Sequence, residues 1–265
     1  MLQPNRVEAL PMKSRKSNGK ASHPKKILVV DDHPMTRFGV AQRIRAEPTF
    51  TVCGEAASAA AALTAVEKFS PDLVLADLSL GERSGLELIK DLQPLHPHLP
   101  VLVFSMHYET LYAERSLRAG ARGYLMKSEG AEKLLEAIHC VLRGEIYLSQ
   151  VMRDRAVHRF ASGPAAASGD NAAVLSDREL EILELIGQAL GTRQISQRLH
   201  LSVSTVETHR AHIKEKLNLR SGPELVRAAV EWLAKEPPRD FGMRRPGAGT
   251  GASIAPRRPA TPKTE

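Results

Sequence analysis

Between residues 25 and 145 the chain alternates short runs that are apolar on both faces with longer segments whose apolar residues recur every three or four. The runs fall at 27–30, 50–53, 73–76, 101–104 and 123–126. Strands covered on both faces have this pattern, because a strand with one wet face alternates apolar with polar positions. In the intervening segments, residues such as Leu134, Ile138, Val141 and Leu142, with Leu135 beside them, place one apolar stripe along a helix. Five strand-helix units in about 120 residues predict an α/β doubly wound five-stranded parallel sheet, flavodoxin-like, in the strand order 2-1-3-4-5.

From residue 175 to residue 233 no such run occurs, and the pattern becomes helical throughout. Ser176 followed by Glu179 reads as a capping box ahead of Leu180, Ile182, Leu183, Leu185 and Ile186. A second helix, 193–199, is expected behind a Thr192 cap, and a third runs from Val203 to about residue 217 after a tight turn at 200–202. Ser221 and Glu224 open a fourth that reaches Trp232. The expectation is an all-α four-helix unit joined to the sheet domain by a flexible linker. That linker is read within 146–171, where ASGPAAASGDNAA begins at Ala161. The divisions are therefore a disordered basic tail (1–24), the sheet domain (25–145), the linker (146–171), the helical domain (172–236), and a Pro/Gly/Arg-rich disordered tail (237–265).

Composition narrows the class. The chain has 265 residues, of which 42% are apolar and 25% charged, as in ordinary globular domains. Two cysteines, Cys53 and Cys140, make no disulfide framework. No apolar run reaches the ~18 residues of a membrane span, and no apolar core follows the basic N-terminus as in a signal peptide. A cytoplasmic protein without a membrane partner is expected. The net charge of +7 suggests nucleic acid, but the sheet domain carries 14 basic and 16 acidic residues and the helical domain 9 of each. The surplus lies mainly in the tails, at +4 each, where it favours solubility or nonspecific attraction to polyanions.

In an open α/β sheet, chemistry gathers at the carboxyl ends of the strands. The first run ends in Asp31 and Asp32, the third in Asp77, the fourth in Ser105 and the fifth in Lys127. Any one of these is ordinary at a strand end; all of them on one rim make a site. Crowded carboxylates need a shared cation, and an all-oxygen cluster suits Mg²⁺. With charge cancelled, Asp77 on the central strand is a carboxylate nucleophile for phosphorus, with Ser105 and Lys127 placed to hold the phosphoryl oxygens.

These residues resemble the receiver domain of bacterial response regulators, through LVVDDHP, LVLADLSL, VLVFSMH and GYLMKS at the family's intervals. The resemblance implies that Asp77 is the phosphoacceptor. It also implies that Asp32, Asp77 and the Ser79 carbonyl bind Mg²⁺ with help from Asp31, that Ser105 and Tyr124 form the switch pair, and that Lys127 is the invariant lysine. Two positions depart from the family. Gly81 stands where a proline is usual four residues after the acceptor, which suggests a looser loop. Ser128 stands where a proline often follows the lysine, so a trans peptide or visible strain is expected there. His33 and His107 lie near the corner in sequence and are expected to be surface histidines.

The third helix of the second half sorts by face. Val206, Ile213 and Leu217 point inward. Ser204, Thr205, Glu207, Thr208, Ala211 and Lys214, with Arg210 at the flank, form a polar face capped at Ser202 that suits entry into a DNA major groove. The string from Leu175 to Leu183, with Ile195, Leu201-Ser202, Thr205 to His209 and Lys216-Leu217, is similar to the LuxR-type helix-turn-helix. Together with the first half it is identified as a member of the NarL/FixJ response regulators. Glu207 replaces a lysine common in relatives, and Ala211 lacks a basic group some of them use. A domain of zero net charge should bind DNA feebly as a monomer, and Leu225, Ala228, Ala229 and Trp232 on the fourth helix are candidate homodimer contacts, with Trp232 equally suited to the domain's own core.

The function so implied is a transcription factor rather than a turnover enzyme: a partner sensor histidine kinase phosphorylates Asp77, the output domain leaves the receiver, and paired output domains bind promoter DNA. One alternative is an aspartate-dependent phosphatase of the HAD type. It expects a second Asp two residues after the nucleophile, where Ser79 stands. Another is an adaptor that works without phosphorylation.

Overall fold

The computed structural model describes residues 23–81, 83–162 and 174–235. The expected disordered tails, apart from residues 23 and 24, and the linker segment 163–171 lie outside the described residues. The first half comprises β1 (Lys25–Val30), α1 (Pro34–Arg45), β2 (Phe50–Ala56), α2 (Ala59–Phe69), β3 (Leu73–Ala76), β4 (Ser79–Leu80), β5 (Arg83–Ser84), α3 (Gly85–Leu95), β6 (Val101–Ser105), α4 (Glu109–Ala119), β7 (Gly123–Met126) and α5 (Ala131–Leu142). Five of these strands form one parallel sheet in the order β2-β1-β3-β6-β7, which is the expected doubly wound topology.

Successive strand residues face opposite layers. Ile27, Val29, Leu73, Leu75, Leu102 and Phe104 pack on one face with Leu134, Ile138 and Val141 of α5. Leu28, Val30, Val74, Ala76, Val101 and Val103 pack on the other, beneath Val66, Leu88, Ile89 and Ala113. Strands β1, β3 and β6 are covered on both faces, so their runs are apolar at every position, whereas the edge strand β2 keeps Thr51 exposed.

Nothing in the hydrophobic pattern marks the β4–β5 hairpin. It is antiparallel, pairing Ser79 with Ser84 and Leu80 with Arg83. Gly81 in its turn has φ +75°, which a proline with φ near −65° cannot adopt. Glycine at this position thus permits a backbone conformation that the family's usual proline would exclude. The peptide after Lys127 is trans.

A further helix, α6 (Gln150–Ser162), lies inside the expected linker at 146–171. Ser149 Oγ accepts the Met152 N–H at 3.2 Å, and Met152 is buried while Val151 and Val157 stay exposed. Among the described side chains of α6, 150–158, only Met152 is buried.

The second half folds as α7 (Asp177–Gly187), α8 (Thr192–Arg198), α9 (Val203–Lys216) and α10 (Gly222–Leu233). Ser176 and Glu179 form the expected capping box. The cap of α8 differs from expectation: Gly191 occupies the N-cap, its N–H donating to Gln194 Oε1 at 2.9 Å, and Thr192 is the first helical residue. Leu180, Leu183, Ile195, Val206, Ile213, Leu225 and Ala229 fill the core.

Candidate functional site

Because β1, β3, β6 and β7 are neighbours in the sheet, their carboxyl ends bring Asp31, Asp32, Asp77, Ser105 and Lys127 to one rim. Lys127 Nζ lies 2.6 Å from Asp31 Oδ2 and 2.6 Å from Asp77 Oδ2. Asp31, Asp77 and Ser105 are buried. Burial raises the Asp31 pKa above its ordinary value; Asp77 pushes the same way, and the pull of Lys127 offsets only part. Burial disfavours the Lys127 charge, but Asp77 and Asp31 outweigh it and hold the proton more firmly than usual. Asp77 Oδ1 accepts the Leu78 N–H at 2.7 Å, and Asp31 Oδ1 accepts the His33 N–H at 2.8 Å.

The backbone beyond Asp77 is fixed by Gly85. Its N–H donates to the Leu78 carbonyl at 2.7 Å, and a Cβ there would stand 2.0 Å from the Asp77 carbonyl oxygen. Only glycine lets α3 begin so close to that backbone. Ser84 caps the helix, its Oγ accepting the Leu86 N–H at 3.2 Å.

Behind the corner, Tyr124 is fully buried and its hydroxyl donates to the His107 carbonyl at 3.0 Å. The His107 N–H reaches Ser105 Oγ at 3.4 Å. Ser105, Tyr124 and the loop after β6 thus form one connected unit. His107 is buried, against the surface position expected of it, and Nε2 lies 3.0 Å from Ser79 Oγ. His33 is exposed, with Nδ1 2.6 Å from Asp32 Oδ1.

On α9, Val206 and Ile213 are fully buried, while Ser204, Glu207, Thr208 and Ala211 are exposed. Thr205, Arg210 and Lys214 are half-buried at the edges of that face. Ser202 caps the helix, its Oγ accepting the Thr205 N–H at 3.0 Å. Glu207 is held by the Thr192 hydroxyl, which donates to Oε1 at 2.7 Å.

Comparison with known proteins now decides the family. Residues 27–139 match the model of the response regulator receiver domain, and residues 173–229 match that of the luxR family of bacterial regulatory proteins. The oxygen regulatory protein NreC of Staphylococcus carnosus is 36% identical over 211 residues, covering 78% of this chain and 97% of that protein. NreC of a Staphylococcus aureus strain is 37% identical with the same coverage. This chain belongs to the two-component response regulators. It is a transcription factor with a receiver and a LuxR-type helix-turn-helix, and its family is one of DNA-binding regulators, not enzymes. The fold agrees with a solved structure of the RcsB response regulator of Salmonella typhimurium, with a TM-score of 0.57 at 21% identity, covering 79% of this chain and 98% of that one.

In this response regulator the output domain is docked on the receiver through α7. His107 Nδ1 lies 2.6 Å from Glu184 Oε2, and Glu184 is fully buried. Arg178 pairs with Glu181 at 2.6 Å and donates to the Gly81 carbonyl at 3.0 Å, tying α7 to the hairpin turn. At the start of α7, Asp177 bridges Lys90 at 2.8 Å and Arg115 at 2.9 Å. Ser79, Met106 and His107 face Glu181, Leu185 and Arg198 across a cavity of about 30 Å³, roughly one water's share of the liquid. Neither motif nor periodicity marks His107, Glu181, Glu184 or Asp177 as partners, since contacts between domains leave no local pattern.

The acidic corner fits a hard divalent cation. Donor atoms of Asp31, Asp32, His33 and Asp77 lie within 4.8 Å of one another. Asp32 Oδ1 is buried without a hydrogen bond, though His33 lies beside it. Among the described residues, no helix is long and apolar enough to cross a membrane. On α10, Leu225 and Ala229 are fully buried against α7 and belong to the output domain's own core, which corrects their expected place on a dimer face. Ala228 and Trp232 are half-buried. The exposed apolar side chains of α10 are Val226 and Val230.

Proposed function

We propose that a partner sensor histidine kinase phosphorylates Asp77, and that the added dianion undocks α7 and frees the output domain to pair on promoter DNA. The observation that carries this reading is Lys127 Nζ at 2.6 Å from both Asp77 and Asp31. An Asp77 carboxylate oxygen attacks phosphorus, the donor's P–N bond breaks, and its electron pair returns to the imidazole nitrogen. The product is a mixed anhydride. Lys127 holds one phosphoryl oxygen, and Ser105, at the carboxyl end of the neighbouring strand β6, takes another. Mg²⁺, held by Asp31, Asp32, Asp77 and the Ser79 carbonyl, supplies charge neutralisation when bound.

New charge at Asp77 acts on the unit built from Ser105, Tyr124 and His107. Any shift in the loop carrying His107 works directly on its short contact with Glu184, and Glu181 and Glu184 on α7 add like-charge repulsion. Ser204, Glu207, Thr208 and Ala211 are exposed while α7 is docked. Undocking therefore changes the freedom and pairing of the output domains rather than uncovering the groove face. DNA contact falls to Ser204, Thr205, Glu207, Thr208, Arg210, Ala211 and Lys214, and homodimer contact on α10 to Val226 and Val230 beside Ala228 and Trp232.

Mass spectrometry of the chain treated with acetyl phosphate and magnesium should show an adduct of one phosphoryl group that Asp77→Asn abolishes. Genome-wide mapping of bound DNA should show phosphodonor-dependent sites in the wild type alone. An adduct that survives Asp77→Asn, or site occupancy indifferent to it, defeats the proposal.

A further inference from the structure

A polar notch between α7 and α9 holds donors that neither the phosphoryl corner nor the groove face uses. Glu179 lies in the first turn of α7, and its side chain is only 4% exposed. Its two oxygens have separate surroundings. Oε2 accepts the Ser176 N–H at 2.7 Å and Lys216 Nζ at 2.6 Å. Oε1 faces α9, with His212 Nδ1 3.9 Å from it.

His209 and His212 are three residues apart on α9, so both rings lie on the flank that meets α7. His209 Nδ1 is buried and has no hydrogen-bond partner. The His212 side chain is 52% exposed, which leaves a way in from solvent. One donor atom from each of Glu179, His209 and His212 lies within 4.8 Å of the other two.

Two imidazoles and one carboxylate, with a further position open to water, make a donor set suited to zinc and its neighbours. It does not suit magnesium or calcium, which take oxygen. Burial, then the Arg178 charge, lowers the proton affinity of His209, and a neutral ring is the form a metal requires. Two cations stand nearby, and both have other places to be. Arg178 is already paired with Glu181 at 2.6 Å. Lys216, 39% exposed, can keep Oε2 while a metal takes Oε1, or swing into water.

We propose that Glu179, His209 and His212 form a binding site for a divalent transition metal of the zinc class, clamping the DNA-facing helix α9 to α7. The clamp joins the helix that docks on the receiver to the one that faces the groove, so occupancy gives the output domain a chemical input besides phosphorylation. Binding itself depends on neither Asp77 chemistry nor DNA.

The test titrates zinc and cobalt(II) into the chelator-treated full chain, with excess magnesium present to occupy the receiver corner. One equivalent should bind, cobalt should give the visible bands of a nitrogen-and-oxygen site, and zinc at a hundredfold excess over Kd should raise the output domain's melting transition by about 10–20 °C. His212→Ala removes only an exposed ring, and circular dichroism will verify that its fold is intact. It should weaken binding by about a hundredfold or more. A wild-type chain that binds no zinc, or a His212→Ala chain that binds it equally well, overturns the proposal.

Discussion

Glu184→Gln tests the docking of α7 most directly. The glutamate is fully buried with Oε2 2.6 Å from His107 Nδ1, and Gln188 Nε2 donates to Oε1 at 3.2 Å. The amide keeps the shape and removes the charge. Breaking a buried ion pair by removing one partner costs about 3–5 kcal/mol when the survivor stays buried. Here His107 escapes into water by undocking, so the loss appears in the docking equilibrium, and we take the lower end, about 3 kcal/mol. At 1.4 kcal/mol per decade this is roughly a hundredfold shift toward the undocked form. Hydrogen exchange reads it locally: amides at 105–108 and 180–188 should exchange faster than in the wild type, while those of β1 and β3 should not change. Small-angle scattering should show an increased radius of gyration. Unchanged exchange at 105–108 together with an unchanged radius would refute the idea that this pair holds the domains together.

Gly85→Ala places a methyl 2.0 Å from the Asp77 carbonyl oxygen, so it should cost about 3 kcal/mol in urea denaturation and slow acetyl phosphate labelling, because the acceptor's backbone must move. Lys127→Met leaves Asp31 and Asp77 facing each other without their shared ammonium. Labelling should fall by about 10²-fold, as when a preorganised oxyanion donor is lost, and a rate within twofold of wild type would remove Lys127 from the phosphoryl site. Asp177 is half-buried, which works against its charge, but hydrogen bonds from Lys90 and Arg115 prevail and hold its pKa below the ordinary 3.8. A depressed carboxylate contributes above its unpaired value and is lost as pH falls through its docked one. This pin should therefore hold from pH 7 to about 5 and fail below 3.8; scattering at stepped pH, compared with Asp177→Asn, checks it.

The sequence disclosed those parts whose causes are local. Covered strands carry unbroken apolar runs, and a parallel sheet puts their carboxyl ends on one rim, so Asp31, Asp77, Ser105 and Lys127 could be listed before any coordinates. The inward residues of α9, Val206 and Ile213, followed from helical period. What stayed hidden lacked a local cause. Among the described side chains of helix α6 only Met152 is buried, too little to leave a period, and Leu225 and Ala229 have the small apolar look of a dimer face while in fact lying under α7. His107 reads as a loop histidine until a glutamate 77 positions later arrives beside it. Gly85 matters through a carbonyl eight residues back, a distance no pattern encodes.

Since the side of α9 proposed to face the groove is in contact with solvent even when the domains are closed, signalling need not alter how one protomer grips one half-site. The gain from phosphorylation would then come from effective concentration, two tethered readers in place of one. Single-half-site affinity and its salt slope would be the same in both states, and the response would steepen only on promoters that carry two correctly spaced half-sites.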